Sequence, residues 1–281
     1  MIQHFRFGSP IRTDSVVQDI PVSSDAVPFL TADADGWVYT IAPDAIVYGL
    51  GEMPRGINKR GWHYVANNTD ESHHGENKVS YYGAHNFLLI DGGPGGDLFG
   101  VFVDFPGKVH YDIGYTVHDT LRFATEEPDY ELYILTGADP NDIAHQFRQL
   151  IGRSYIPPKW AFGLQQSRWG YKTAEDVREV ARQYKENDLP LDMICMDIDY
   201  MQDYADFTIN KERFPDLAAL AAELKAQGIR LVPIIDAGVR IDPEEPTCTE
   251  GLEKGYFCKK EDGTPFVAAV WPGKAYLTRF S

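Results

Sequence analysis

Asp197 and Asp199 stand one residue apart at the end of the apolar run Asp192-Met-Ile-Cys-Met-Asp-Ile198. On a strand, side chains two apart point to the same side, about 7 Å from one another at roughly 3.3 Å per residue. Carboxylates so placed have two chemical uses. They can form the acid/base or nucleophile pair of a glycosidase, where retaining enzymes space them at about 5–5.5 Å and inverting ones wider. They can also accept charge-assisted hydrogen bonds from the hydroxyl groups of a ligand. Two acids on one strand rarely straddle a bond, so the second use is the better reading. Arg168-Trp169 and Asp236 occupy the same kind of position, immediately after an apolar run. Carboxylates collected beside an indole suit a neutral polyhydroxylated ligand, because the acids hold hydroxyls and the ring covers the apolar face of a sugar. The structural alternative is that these acids pair with Arg168 or cap neighbouring loops.

Two other constellations carry less. His73-His74 near Glu76 has no further ligand at a suitable spacing, so a solvated loop is expected and no metal site. Gly92-Gly-Pro-Gly-Gly96 would need a following helix to cradle a phosphate; a strand follows, which makes it a hairpin turn. No cofactor is expected.

The elements that must position these residues fall into two sets. Before about residue 135, short runs rich in β-branched and aromatic residues are bounded by Gly, Pro and Asp: Trp37–Ile41, Ile46–Tyr48, Asn86–Ile90, Leu98–Asp104, Leu121–Phe123 and Tyr130–Leu135. They predict an antiparallel sandwich over 1–138. Asp139 as N-cap, Pro140 at the first helical position, the stripe Ile143, Phe147, Leu150 and the stop Gly152 predict a connecting helix, and Tyr155-Ile-Pro-Pro-Lys159 a stiff linker, over 139–159. From 160 to 281 strands and helices alternate. A strand over 162–166 precedes a helix opened by Thr173 and Asp176 with the stripe Val177, Val180, Ala181, Tyr184. The strand over 192–198 precedes a helix capped by Asp216 and stopped by Gly228, and a third strand runs over 230–235. This β-α-β-α-β order builds a parallel sheet, whose ligands sit at the carboxyl ends of the strands. A hairpin with a Glu261-Asp-Gly263 turn is expected within an insertion at about 240–270.

Composition excludes some partners. With 26 Lys and Arg against 42 Asp and Glu, the net charge of −16 repels phosphate backbones and anionic lipid, so nucleic acid is not expected. No apolar run approaches the roughly 18 residues of a membrane helix. The three cysteines, Cys195, Cys248 and Cys258, have no CxxC spacing and fit reduced thiols. No secretory signal stands at the start, so the expected address is the cytoplasm.

Arg168-Trp-Gly-Tyr171, Asp197-Ile-Asp-Tyr-Met201 followed by Asp206-Phe-Thr208 and Phe214-Pro215, and Val270-Trp-Pro-Gly273 resemble the motifs of glycoside hydrolase family 31 α-glucosidases. Tyr48-Gly-Leu-Gly-Glu52 and Asn67-Asn-Thr-Asp70 are similar to that family's N-terminal motifs, so the resemblance runs in order from about Tyr48. It implies a galactose-mutarotase-like β-sandwich, the first three units of a (β/α)8 barrel, and an exo-acting retaining α-glucosidase acting on oligosaccharides with a terminal α-glucosyl unit. By position, Asp197 would bind sugar hydroxyls, Asp70 would enter the substrate site on a loop from the sandwich, Ile198 would line the pocket wall, and Trp169, Val239 and Trp271 would form its apolar walls; Arg168, Asp199 and Asp236 are secondary candidates. The lesser readings are Ile198 and Val239 as plain core residues and Trp271 before Pro-Gly as a turn aromatic.

The family's Trp-x-Asp-Met-Asn-Glu nucleophile motif and its later acid/base aspartate do not occur in these 281 residues. A barrel takes roughly 250 residues and only about 120 follow Trp160, so the sequence predicts an incomplete barrel without the catalytic pair. The alternatives to an α-glucosidase portion are a non-catalytic sugar-binding protein, which the DNA downstream would distinguish, and a family member acting on α-xylosides or α-galactosides.

Overall fold

Alternation of side chains between the two faces of each strand shapes the first half of the chain. In Leu98-Phe-Gly-Val-Phe-Val-Asp104, Phe99, Val101 and Val103 point into one core and Leu98 and Phe102 into another on the opposite face. The computed structural model describes residues 1–278, in two units divided between Tyr155 and Ile156. Positions 279–281 of the expected barrel segment lie outside the described residues.

In the first unit the strands are β1 (Ile2–Phe7), β2 (Thr31–Asp33), β3 (Gly36–Thr40), β4 (Ile46–Gly51), β5 (Trp62–Ala66), β6 (Ala84–Asp91), β7 (Leu98–Asp104), β8 (Val109–Ile113), β9 (Thr120–Thr125) and β10 (Tyr130–Thr136). They form two five-stranded antiparallel sheets, ordered β1-β10-β7-β6-β4 and β2-β3-β9-β8-β5. Between them lies one apolar core that includes Val47, Leu88, Phe99, Tyr111 and Phe123. This is the β-sandwich that the sequence implies. The glycine cluster is the β6–β7 turn, closed by Gly92 N–H on the Asp97 carbonyl at 2.8 Å.

Helix α1 (Pro140–Leu150) starts as read, with Asp139 accepting the Asp142 N–H at 2.9 Å. The helix expected as a connector instead docks on the sandwich. Its Phe147 ring stacks on Phe87 at 3.8 Å, and Ile143 and Leu150 are fully buried with Phe102 and Leu135. Gly100 permits that approach, since a Cβ there would stand 2.9 Å from Ile143.

The second unit contains β11 (Gln165–Arg168), α2 (Ala174–Glu186), β12 (Met193–Met196), α3 (Leu217–Ala226), β13 (Arg230–Pro233), β14 (Gly238–Arg240), α4 (Pro246–Lys254), β15 (Val267–Val270) and β16 (Gly273–Leu277). β11, β12 and β13 make a parallel sheet in that order, and α2 and α3 cover it through Val177, Ala181, Leu220 and Leu224. Both helix starts are as read: the Thr173–Asp176 capping box opens α2, and Asp216 accepts the Ala219 N–H at 2.8 Å.

Three boundaries differ from the sequence reading. Lys159–Phe162 forms a 3-10 turn after Pro158, so the first strand is 165–168 and not 162–166. The second ends at Met196, because the Asp197 carboxylate caps another 3-10 turn, Ile198–Tyr200, at 2.7 Å from the Ile198 nitrogen. The third ends at Pro233, leaving Ile235 59% exposed. In the insertion the Glu261-Asp-Gly263 turn is present, but the hairpin narrows to the single Lys259–Pro265 bridge, flanked by Lys260 N–H on the Thr264 carbonyl and Phe266 N–H on the Cys258 carbonyl. The main pairing there is the antiparallel order β14-β16-β15.

Candidate functional site

The parallel sheet brings several sequence candidates to its carboxyl edge. Trp169 follows β11 and is 66% exposed, so it packs in no core. Arg168 before it is exposed, its guanidinium 5.8 Å from the Tyr171 ring and its Nε donating to the Trp169 carbonyl at 3.3 Å. No ion pair among the described residues joins Arg168 to an aspartate. Asp197 follows β12 and is half-buried; the next segment runs alongside, with Ile234 N–H donating to the Met196 carbonyl at 2.9 Å.

The expectation that Asp197 and Asp199 share one strand face fails. Both lie past the end of β12, and the 3-10 turn carries Asp199 inward to 3% exposure, with Oδ2 buried and unpartnered. Ile198 is 4% exposed among Tyr171, Met196 and Phe214, and Val239 is 5% exposed against Cys248 and Phe257. Each packs into a core, so neither presents an open wall in this structure.

Asp236 and Trp271 meet across a cleft of about 480 Å³, with Gly238, Ala269 and Val270 also in its lining. Trp271 occupies the turn between β15 and β16 and is 72% exposed, its indole free to stack. Behind Asp236 lies Asp206, a residue the sequence motif contains but to which sequence reasoning gave no role. Its Oδ1 accepts the Asp236 N–H at 3.1 Å, while Oδ2 is buried without a partner. Burial pushes the Asp206 carboxyl up to about 6 and the negative charge of Asp236 adds to that, partly offset by the Asp236 N–H. The loop carrying it turns back through three non-glycine residues at positive φ, Asp203 (49°), Tyr204 (59°) and Phe207 (64°). Such conformations are costly for bulky residues and persist only where their surroundings fix them. A run of non-glycine residues that must fold back on itself was the available signal.

In the first unit, Asp70 is exposed on the loop after β5 and accepts the Tyr82 hydroxyl at 3.0 Å. His73 takes its Nδ1 partner from Ser72 at 2.9 Å and His74 packs edge-on to Tyr81. No cluster of three metal-ligating side chains occurs among the described residues.

Comparison with known proteins bears on both units. Residues 154–281 match the glycosyl hydrolases family 31 TIM-barrel domain, and residues 22–112 the glycosyl hydrolase 31 N-terminal galactose mutarotase-like domain. Alpha-glucosidase 2 of Bacillus thermoamyloliquefaciens is 39% identical over 236 residues, which are 83% of this chain and 30% of that protein. Alpha-xylosidase 1 of Arabidopsis thaliana is 29% identical over 248 residues, 86% of this chain and 27% of its own length. A family 31 dextranase of Flavobacterium johnsoniae, solved with isomaltotriose, superposes with a TM-score of 0.75 at 24% identity, over 90% of this chain and 31% of the dextranase. The chain thus spans about a third or less of the length of these relatives.

Proposed function

Because this chain belongs to glycoside hydrolase family 31, we propose that it forms the sandwich and early-barrel part of an exo-acting retaining glycosidase that removes terminal α-glucosyl units from oligosaccharides. The observation that carries this reading is the carboxyl edge of the parallel sheet, where Asp197 and Asp236 stand with two exposed indoles, Trp169 and Trp271. Aspartate oxygens accept hydrogen bonds from sugar hydroxyls, and indole faces cover the apolar side of the ring. Asp236 is held from behind by Asp206, which fixes its backbone. Asp70 is proposed, on the resemblance, as a further hydroxyl acceptor. The two catalytic carboxylates lie outside these 281 residues in this reading.

In the whole protein, Asp197→Ala removes charge-assisted hydrogen bonds worth about 1.5–3 kcal/mol each, and kcat/KM is expected to fall at least about tenfold. Turnover close to that of the parent protein would take Asp197 out of the site. For the 281-residue chain itself, no enzyme-dependent release of 4-nitrophenol from 4-nitrophenyl α-glucoside is expected, since neither nucleophile nor acid/base is supplied. Clear release would mean that acids in this chain, with Asp197 and Asp236 first to test, do the chemistry.

A second reading, preference for α-xylosyl units, is favoured by the similarity to a protein named as an α-xylosidase. The ratio of whole-protein kcat/KM on 4-nitrophenyl α-glucoside and α-xyloside decides between them.

A further inference from the structure

The outer face of the β1-β10-β7 side of the sandwich carries polar groups where α1 does not reach. His4 is 4% exposed and stacks on Tyr133 at 4.5 Å; Asp104 is 7% exposed. A strap, residues 8–20, crosses above them and leaves a cavity of about 890 Å³ beneath it, within the roughly 300–1,000 Å³ typical of small-molecule sites. The strap is fastened at several points. Thr13 Oγ1 lies 2.7 and 2.8 Å from the two Asp104 oxygens, and Val17 N–H donates to the Leu150 carbonyl at 2.9 Å. His4 Nδ1 bonds the Ile20 carbonyl at 2.8 Å, an acceptor-only partner, so Nδ1 is the donor.

That leaves His4 Nε2 buried and without a hydrogen-bond partner in a side chain that borders the cavity, with Glu131 Oε1 3.4 Å away. A buried polar atom left unpaired costs free energy that an incoming donor or acceptor recovers. Glu131 is already engaged by Arg6 Nε at 2.8 Å and by the Tyr133 hydroxyl at 3.1 Å, so the floor is an ordered set of donors and acceptors. Both signs of charge are present: Arg6 faces Glu131 and Asp104 on the floor, and Arg12 and Asp19 stand on the strap. The floor charges are already engaged, Arg6 with Glu131 and Asp104 with Thr13, which suits a neutral hydrogen-bonding ligand better than an ion. The strap adds Val16 to the lining and, 76% exposed at its margin, Ile11. A molecule with hydroxyls on its edge and C–H groups on its face matches such a lining.

From this we infer that the cavity under the strap is a second binding site, specific for a neutral sugar unit and separate from the carboxyl edge of the parallel sheet. The choice of glucosyl probes rests on the proposed function.

The test uses the complete 281-residue chain with methyl α-glucoside and maltose at millimolar concentration, read by saturation-transfer NMR and by hydrogen exchange of residues 8–20. Sugar is expected to give transfer that persists in Asp197→Ala, and to slow exchange in the strap. Glu131→Gln keeps the volume of the side chain, and both it and Thr13→Val are expected to weaken this binding about tenfold, the scale of one charge-assisted hydrogen bond. Circular dichroism confirms that each variant is folded, and the exchange readout on the unmutated chain needs no variant. Absence of transfer, absence of strap protection, or affinity unchanged in both cavity variants overturns the inference. Transfer that vanishes in Asp197→Ala also overturns it, while leaving the proposed function standing. An Asp197→Ala whole protein with unaltered turnover counts against the proposed function alone.

Discussion

Asp206 shows how one residue couples the site to the stability of its unit. Its carboxyl is pushed up to about 6 in the folded chain, against about 3.9 when unfolded. Between those values the folded state holds more protons than the unfolded one, so stability falls as pH rises from about 4 through about 6 and stays lowered above that, by on the order of 3 kcal/mol. Asp206→Asn keeps an oxygen for the Asp236 N–H and removes the charge. The variant is expected to melt higher than its parent at pH 7.5 and close to it at pH 4. Thermal melts at both pH values check this; an equal shift at the two would show that the ionisation of Asp206 is not the cause. Little of this residue's role was legible in the sequence, because its burial arises only when 203–207 folds back beneath Asp236. The positions of Asp197, Asp236 and Trp271 were legible, since each directly follows an apolar run, and that of Trp169 from the motif Arg168-Trp-Gly-Tyr171. The inward turn of Asp199 was not, because it depends on one cap, Asp197 onto Ile198 N–H.

At the scale of elements, local chemistry written in adjacent residues was the readable part. Thr173 and Asp176 announce α2 and bond each other's backbone, so Thr173→Ala is expected to cost about 1 kcal/mol, seen as a lower midpoint in urea with an unchanged slope. Gly100→Val should destabilise more, by pushing α1 off β7; a variant that keeps the parent's stability would mean that the helix can shift freely. Long-range pairing was less readable. β1, β5 and β8 carry polar residues between their apolar ones, as in Ile2-Gln-His-Phe-Arg-Phe7, and only partner strands identify them. α4 escaped because Pro246–Lys254 buries only Cys248 and Gly251 and shows no apolar stripe.

For the molecule as a whole, the division into two units, each with its own apolar cores, and an exposed joint set its behaviour. Tyr155 and Ile156 are 82% and 77% exposed at the division between the units. Brief chymotrypsin treatment is expected to cut at Tyr155 and leave a resistant first unit with its sheet signal intact; rapid loss of that fragment would show that the sandwich needs the second unit. Pairing within the sandwich also bears on how the chain is made. Ile2 lies opposite Leu135 and Phe7 opposite Tyr130. At roughly 5–20 residues per second, synthesis of the partner lags that of β1 by on the order of ten seconds. During that interval the β6–β7 hairpin, joined by a short turn, can pair, but β1 has only the single bridge from His4 to Val22 and not the strand it pairs with along its length. Within this sheet β1 is made first and seated last, and a nascent-chain chaperone would find its Phe5 and Phe7 unburied for most of translation of this unit.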